Sequence, residues 1–178
     1  MKPKKCKACG NEFNPYTSRH IVCTYECFIQ HTKNLKAKKQ AQQNRREKKE
    51  YYDNDRKHQI GLTVKACNDY IKERDKNLPC ISCGATKNTI QYAAGHYKPA
   101  GNNPQLRFNE LNIHKQCNRD CNMAKSGNLI HYRQGLIEKI GLSKVEWIES
   151  YQGDYKYTIE DLKEIREYYK DKIKELKE

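Results

Sequence analysis

Eight of the nine cysteines fall into two groups that share one layout, a close pair followed at a distance by a second close pair. The first cluster is Cys6, Cys9, Cys23 and Cys27, and the second cluster is Cys80, Cys83, Cys117 and Cys121. Two separated thiolate pairs can close a tetrahedral shell around one Zn²⁺ ion, at about 2.3 Å per bond. The spacing therefore predicts two structural zinc sites, rather than disulfides or isolated buried thiols.

A second set of polar residues lies between and just after the halves of the second cluster. It consists of His96, Asn112 and Asn122, with Lys125 following on the same segment. Strands and a helix pinned by one zinc ion would bring these distant positions into one neighbourhood. A histidine with amide partners, near a lysine that can meet phosphate, favours a catalytic site, and the alternative is a structural histidine.

The charge of the chain indicates a polyanionic partner. The 178 residues include 35 Lys and Arg against 22 Asp and Glu, a net charge of +13, so nucleic acid is the first candidate and a solvated basic surface is the alternative. Between residues 32 and 57 there are ten basic residues against four acidic ones, without Pro or Gly. We interpret this segment as an exposed, helical, phosphate-binding arm that includes Arg45, Arg46, Lys48 and Lys49, the alternative being a solvated linker.

These residues must be positioned by a small α+β fold. With hydrophobic residues at 36% and 13 tyrosines among them, the apolar core is small, so we expect zinc to stabilise parts of the fold. We predict three segments: a zinc module over 1–31, a basic helical connector over 32–60 and a main domain over 61–178. No apolar run reaches membrane-spanning length and the first residues lack a signal peptide, which predicts a cytoplasmic protein without a membrane partner.

Local patterns predict the elements of the main domain. A helix is expected over 63–74 with Cys67 as a small core residue, and strands over 89–92 and 105–108 with a loop between them. A helix over 129–140 should end at Gly141, and Ser143 should cap the next one. Thr158 and Asp161 should open a last helix, whose apolar stripe is Ile159, Leu162, Ile165, Tyr169, Ile173 and Leu176.

Several longer strings resemble a known family. The segments 78–84 (LPCISCG), 95–97 (GHY), 104–110 (PQLRFNE) and 126–129 (SGNL) are similar to the NinG (Rap) family of lambdoid phage recombination endonucleases, within the HNH superfamily. The resemblance implies a ββα-metal, treble-clef-like core with flanking helices. It also implies a structure-specific DNA endonuclease that cuts branched recombination intermediates, such as Holliday junctions and strand-invasion joints, with Mg²⁺ or Mn²⁺.

The resemblance also implies roles for individual residues. His96 would be the general base, Asn112 would orient its imidazole and Asn122 would ligate the catalytic ion. Many HNH sites have Asp or His directly before the catalytic histidine, whereas this chain has Gly95, so His96 itself or His114 is the candidate for the second ligand. Further candidate DNA contacts are Arg107, Lys115 and Lys125, and symmetric cutting of a four-way junction would favour a homodimer.

Two other functions remain open on sequence grounds. A non-catalytic, zinc-stapled nucleic-acid-binding module would carry the same cysteines and the same positive charge, and only His96, Asn112 and Asn122 separate it from a nuclease. A protein-interaction scaffold built on zinc modules explains the cysteines but gives no use for a charge of +13.

Overall fold

The computed structural model describes residues 1–153 and 155–178 of the chain. The chain divides into two compact units, Met1–Asp53 and Asn54–Glu178. Helices are combined with two separate two-stranded sheets, so the mixed α+β character predicted from the sequence is confirmed.

The first unit consists of a small hairpin and one long helix. Strands β1 (Lys4–Lys5) and β2 (Glu12–Phe13) pair antiparallel, and helix α1 spans Tyr25–Asn54 with no buried residue. Good helix formers fill α1, and bonds between residues four apart, such as Gln40 to Asn44, support it without tertiary packing. The predicted helicity of the connector is confirmed, and the predicted boundary at 31/32 falls inside this continuous helix.

In the second unit, the described residues form four α-helices around one hairpin. In chain order these are α2 (Arg56–Arg74), β3 (Tyr92–His96), β4 (Ile113–Cys117), a π-helical turn (Asn118–Met123), α3 (Leu129–Ile140), α4 (Leu142–Ser150) and α5 (Ile159–Glu175). Asp55 caps α2 by accepting a bond from the Lys57 amide. Thr158 and Asp161 form the reciprocal capping box of α5, which confirms the predicted start of that helix.

The hairpin of β3 and β4 has two different faces. Antiparallel pairing sets His96 opposite Ile113 and Gly95 opposite His114. Because directly opposed residues share a face and neighbours along a strand alternate, His96 and Ile113 lie on one face and Gly95 and His114 on the other.

Two apolar clusters flank this hairpin. The first joins α2 and α5 to Ile113 and consists of Ala66, Cys67, Tyr70, Ile71, Phe108, Ile113, Leu162 and Tyr169. The second joins α3 and α4 to the end of β3 and consists of Tyr97, Leu106, Tyr132, Leu136, Val145 and Ile148. Cys67 is 1% exposed, so its predicted place in the core is confirmed.

Three local predictions were wrong. The strands lie over 92–96 and 113–117 rather than 89–92 and 105–108, because Pro104 starts a 3₁₀ turn that buries Leu106 and because the small residues of β3 give no apolar signal. Ser143 does not cap α4, since that helix already begins at Leu142 after Gly141. The predicted end of α3 at Gly141 is confirmed.

None of the described helices combines the length with the apolar character that crossing a lipid bilayer requires.

Candidate functional site

The first cysteine cluster lies between the hairpin of the first unit and the start of α1. The Sγ atoms of Cys9 and Cys23 are 3.6 Å apart, and those of Cys23 and Cys27 are 3.4 Å apart. The Cys6 sulfur accepts bonds from the backbone amides of Ala8 and Cys23, each at 3.4 Å, which supports a thiolate there.

The second cluster joins the segment before β3 to the end of β4 and the π-helical turn. Sulfur–sulfur distances are 3.6 Å between Cys83 and Cys117 and 3.9 Å between Cys80 and Cys121. The Cys80 sulfur accepts a bond from the Cys117 amide at 3.2 Å. The wide turn, in which Ala124 bonds back to Arg119, accommodates the three residues between Cys117 and Cys121.

Both clusters fit a structural metal ion such as zinc. All four sulfurs of each cluster lie within 4.8 Å of one another. A tetrahedral zinc ion with bonds of about 2.3 Å separates its sulfurs by roughly 3.8 Å, close to the spacing of these pairs. Within residues 1–153 and 155–178, these two are the groups of acidic, His and Cys side chains that could hold a metal ion.

The same local turn builds the first half of each cluster. Gly10 and Gly84 follow the first cysteine pairs, have φ of 80° and 70°, and donate their amides to the carbonyls of Cys6 and Cys80 at 2.9 Å. A positive φ is open to glycine at little cost, so the Cys-x-x-Cys-Gly string encodes this turn directly.

His96 ends strand β3 and is held in one tautomer. Its Nε2 atom lies 3.0 Å from the backbone oxygen of Arg107. A carbonyl only accepts, so Nε2 carries the proton of the neutral ring and Nδ1 is left as the basic nitrogen.

The surroundings of His96 keep the ring neutral. Burial lowers the pKa of His96 and the nearby Arg107 guanidinium lowers it further, whereas the bond to the Arg107 carbonyl acts in the opposite direction. The net direction is downward, so His96 is available as a base at neutral pH.

Asn112 organises the backbone beside His96 and does not bond its ring. The fully buried side chain accepts from the Lys98 amide at 2.8 Å and donates to the carbonyls of Lys98 and Leu106 at 3.0 and 3.2 Å. Leu106 directly precedes Arg107, the residue that holds the histidine. Asn112 therefore supports His96 indirectly, by holding the loop that carries Arg107. The predicted hydrogen bond from Asn112 to the imidazole is not formed.

Asn122 lies partly buried in the π-helical turn that packs against both strands. An amide oxygen suits a hard cation such as Mg²⁺. This turn follows Cys117, which pairs with Tyr92 at the end of the hairpin opposite to His96 and Ile113, and no hydrogen bond among the described residues joins Asn122 to His96.

His114 lies on the other face of the hairpin from His96, and its ring is engaged inside the protein. Nδ1 lies 3.0 Å from both the Arg74 guanidinium and the Lys139 ammonium, so this nitrogen accepts, and Nε2 lies 3.1 Å from the Leu111 carbonyl. Burial lowers the pKa of His114. The structure does not bring His114 to the site of His96.

The buried carboxylate of Asp75 lies beside His114. Asp75 is 1% exposed and contacts the Arg74 guanidinium, the Lys139 ammonium and the Lys115 amide at 2.9 to 3.0 Å. Burial raises the pKa of Asp75, but the adjacent Arg74 and Lys139 cations outweigh it and hold the pKa far below the usual range. Through these contacts Asp75 links the end of α2 to β4 and to α3.

Gly95 stands where many HNH sites carry a metal ligand, and Gln116 occupies the adjacent space. A Cβ atom on Gly95 would lie 2.4 Å from Gln116 Oε1 and 3.0 Å from Gln116 Cβ. The Gln116 amide is tied down through Nε2, which donates to the Ser82 hydroxyl and the Gly127 carbonyl. Its Oε1 is buried without a hydrogen-bond partner among the described residues.

The predicted DNA contacts have different environments. Arg45, Arg46, Lys48 and Lys49 are exposed on α1, and Lys125 is exposed after the π-helical turn. Lys115 donates to the Lys76 carbonyl and lies 4.3 Å from the centre of the Tyr92 ring, so its ammonium is held by the protein itself. Arg107 is partly buried and spends one of its donors on the Ala100 carbonyl.

Sequence reasoning missed three contributors to this region. They are the Arg107 carbonyl, the Asp75 ion-pair group and the Gln116 amide. A backbone oxygen carries no residue-type signal, and Asp75 and Gln116 look like ordinary polar residues at a helix end and on a strand. Only the zero exposure of Gln116 in the folded protein marks it out.

Comparison with known proteins identifies the family of the chain. The model of a family described as Bacteriophage Lambda NinG protein matches residues 1–178. The chain belongs to the NinG family. Curated relatives, all called Protein ninG, include those of Escherichia phage lambda (49% identical over 122 residues), Salmonella phage P22 (48% over 123) and Escherichia phage 933W (47% over 122).

The matches to these NinG proteins cover 68 to 69% of this chain and 59 to 60% of each relative. The chain therefore spans about 60% of the length of the curated relatives that it matches. No solved structure shows a significant match to it.

Proposed function

We propose that this NinG family member is a structure-specific, divalent-metal-dependent DNA endonuclease that cuts branched recombination intermediates. The positive charge and the exposed basic helix α1 support DNA as the substrate. The preference for Holliday junctions and strand-invasion joints rests on the resemblance of the second unit to recombination endonucleases, and two copies acting on one four-way junction would account for symmetric cuts.

The observation that carries the proposal is the state of the His96 ring. A histidine that donates Nε2–H to a carbonyl, has a lowered pKa and lies beside an arginine side chain is prepared to accept a proton at Nδ1. A purely structural histidine needs neither the free basic nitrogen nor the neighbouring cation.

The chemistry follows from these groups. Nδ1 of His96 takes a proton from a water molecule as its oxygen attacks the phosphorus, and the bond from phosphorus to the leaving oxygen of the DNA strand breaks. Arg107 meets the negative charge of the phosphate, and Asn112 keeps the loop that holds His96 in place.

A divalent ion such as Mg²⁺ or Mn²⁺ would stabilise charge on the phosphate and the leaving oxygen. Asn122 offers an oxygen ligand of the right type, whereas Gly95 offers none and His114 is engaged elsewhere. Asn122 is therefore the one predicted oxygen ligand that remains for this ion, and we expect water and phosphate oxygens to supply the other ligands, as is usual for Mg²⁺.

The missing ligand at Gly95 is the one observation that favours the rival function, a zinc-stapled nucleic-acid-binding module without catalysis. The two functions differ in whether the bound strand is cut.

The experiment is a cleavage assay with Mg²⁺ or Mn²⁺ on a labelled four-way junction, a linear duplex of matching sequence and a single strand. We expect the junction to be cut fastest. His96→Ala should lower the rate by roughly 10² to 10⁴-fold, the usual contribution of a general base, with junction binding retained. Asn112→Ala should do less, because an orienting contact is worth less than the group it orients.

The matched control is His131→Ala, which removes an exposed histidine on α3 and should leave the rate unchanged. Excess Mn²⁺ should not restore His96→Ala, whereas partial rescue would make His96 an ion ligand. Cleavage at the wild-type rate by His96→Ala would overturn the role of His96 as the general base, whereas a wild-type chain that binds the junction and cuts none of the three substrates would leave the binding module.

A further inference from the structure

The second unit carries a pocket of about 420 Å³ that the proposed chemistry does not use. It is lined by Gln105, Phe108, Asn109, Tyr157, Glu164, Ile165, Tyr168 and Tyr169. Its size falls in the range of small-molecule sites, and four of its eight lining residues are aromatic.

The aromatic walls are held in place before any ligand arrives. Phe108 and Tyr169 are 6% and 2% exposed, and the Tyr169 hydroxyl donates to the Phe108 carbonyl. The Tyr157 hydroxyl donates to the Gln105 carbonyl at 3.0 Å, and its ring meets Phe108 edge-on at 5.1 Å. Tyr168 is 49% exposed, so one ring remains at the mouth of the pocket for a flat partner.

The polar groups of the pocket match the edge of a nucleobase. Gln105 supplies an amide with two donors and an acceptor, and Asn109, whose Oδ1 accepts from the Leu111 amide, still has its Nδ2 donors. Glu164 supplies a carboxylate that can accept from an exocyclic amino group.

The pocket and His96 are linked by one loop of the chain. Gln105, Phe108 and Asn109 belong to the same short loop as Arg107, whose carbonyl holds the histidine. A base in the pocket would therefore have its own phosphate close to Arg107 and His96.

We propose that this pocket binds one unpaired nucleobase next to the phosphate that is cut. A base inside a duplex has both faces stacked and its pairing edge occupied, so it cannot enter. An unpaired base at a branch point can stack on an aromatic ring and bond to the amides. The inference rests on the proposed function and deepens it, because it assigns the recognition of branched DNA to an unstacked base.

The test compares binding of two DNA duplexes to the full chain in a His96→Ala background with Mg²⁺, where we expect cleavage to be slowed roughly 10² to 10⁴-fold. One duplex has a single bulged 2-aminopurine and the other has 2-aminopurine paired with thymine. We expect tighter binding of the bulged duplex and a change in its fluorescence on binding. Tyr168→Ala should weaken binding of the bulged duplex roughly 5-fold or more and leave the paired duplex unaffected.

Two controls separate stacking from other effects. Tyr168→Phe removes the hydroxyl that donates to Glu110 but keeps the ring, and should bind like the parent. Trp147→Ala removes a similarly exposed aromatic residue outside the pocket and should also bind like the parent. Gln105→Ala provides a second pocket variant should Tyr168→Ala fail to fold, and it too should selectively weaken binding of the bulged duplex.

Equal affinity for both duplexes, or equal losses for both in the pocket variants, would overturn the base pocket. If the wild-type chain cuts junctions in that case, the proposed endonuclease function stands without the pocket. If the chain binds neither duplex and cuts no junction, the proposed function itself fails.

Discussion

At the scale of single residues, the chemistry of His96 depends on one backbone oxygen. The Arg107 carbonyl fixes the proton on Nε2, while the side chain of the same residue lowers the pKa of the ring. Burial is the main cause of the lowered pKa of His96, and Arg107 determines which ring nitrogen is basic and adds a smaller downward contribution through its charge.

This arrangement predicts the pH dependence of cleavage. A general base must be unprotonated, and the pKa of His96 lies below the ordinary value of about 6.5, so activity should rise with pH and the midpoint of the rise should lie below that value. Arg107→Gln removes the cation that lowers the pKa and should move the rise to higher pH, whereas Arg107→Lys keeps the charge and should move it less. The measurement is kcat/KM against pH, with zinc content checked at each point.

A rise centred above 6.5 in the wild-type chain, or no difference between the Gln and Lys variants, would contradict this account of His96.

At the scale of elements, helix α3 approaches the second cysteine turn through a glycine. A Cβ atom on Gly135 would lie 2.1 Å from the backbone oxygen of Ile81, so any side chain there must push α3 away from the turn that carries Cys80 and Cys83. Gly61, in the middle of α2, has nothing within 4 Å of such an atom.

These two glycines provide a matched pair of substitutions. Gly135→Ala should lower the free energy of unfolding by about 1 to 3 kcal/mol, since backbone must shift. Gly61→Ala should raise it by about 0.5 to 1 kcal/mol, because alanine is the better helix former and meets no clash. Denaturant unfolding of both variants with zinc present measures the difference, and destabilisation by both would show that the contact with Ile81 is not the cause.

Helix α1 differs from the other described α-helices because none of its residues is buried. Packing against the apolar core therefore does not stabilise this helix. We expect it to hold basic side chains along the DNA backbone.

Replacing Arg45, Arg46, Lys48 and Lys49 with Glu should weaken binding to every DNA shape and flatten its salt dependence, because fewer counterions are released. The control reverses four exposed lysines of the second unit that do not line the pocket, Lys65, Lys72, Lys87 and Lys144, which changes the net charge by the same amount. The measurement is affinity against salt concentration for junction and duplex. An unchanged salt dependence in the α1 variant would show that α1 is only a linker. Equal changes in both variants would show that α1 contributes only through the net charge of the chain.

At the scale of the whole molecule, we expect metal ions at the two cysteine clusters to compensate for a small apolar core. The apolar clusters flank one short hairpin, and the first unit has little beyond its cysteine cluster to fold around. Structural zinc contributes roughly 10 kcal/mol or more in small modules, comparable to the net stability of a domain.

We therefore predict two zinc ions per chain. Cys83→Ser should leave one ion and unfold the second unit, because losing one ligand opens a closed site, while the first cluster keeps its metal. Cys67→Ser changes a cysteine outside both clusters and should keep two ions. Elemental analysis and circular dichroism of reduced protein provide the readouts, and an absence of zinc from the purified wild-type chain would refute the prediction.

Much of this organisation is encoded locally and could be predicted from the sequence. The Cys-x-x-Cys-Gly strings specify the two turns, since a positive φ after the second cysteine suits glycine. The capping pair of Thr158 and Asp161 specifies the start of α5, and the composition of 32–57 specifies an exposed helix. The grouping of eight cysteines into two clusters also follows, because four ligands in two close pairs fit one tetrahedral ion.

The rest was decided by contacts between distant segments, which no local pattern reports. The hairpin lies over 92–96 and 113–117 because its pairing is between strands separated by a loop, and Ala93, Ala94 and Gly95 carry no alternating apolar signal. The sequence alone determined that His96, Asn112 and Asn122 are candidates for one site. Only the tertiary structure decided that Arg107 holds His96, that His114 faces the opposite side with Asp75, and that Gln116 excludes a side chain at Gly95, because each depends on which backbone atoms and side chains meet across the fold.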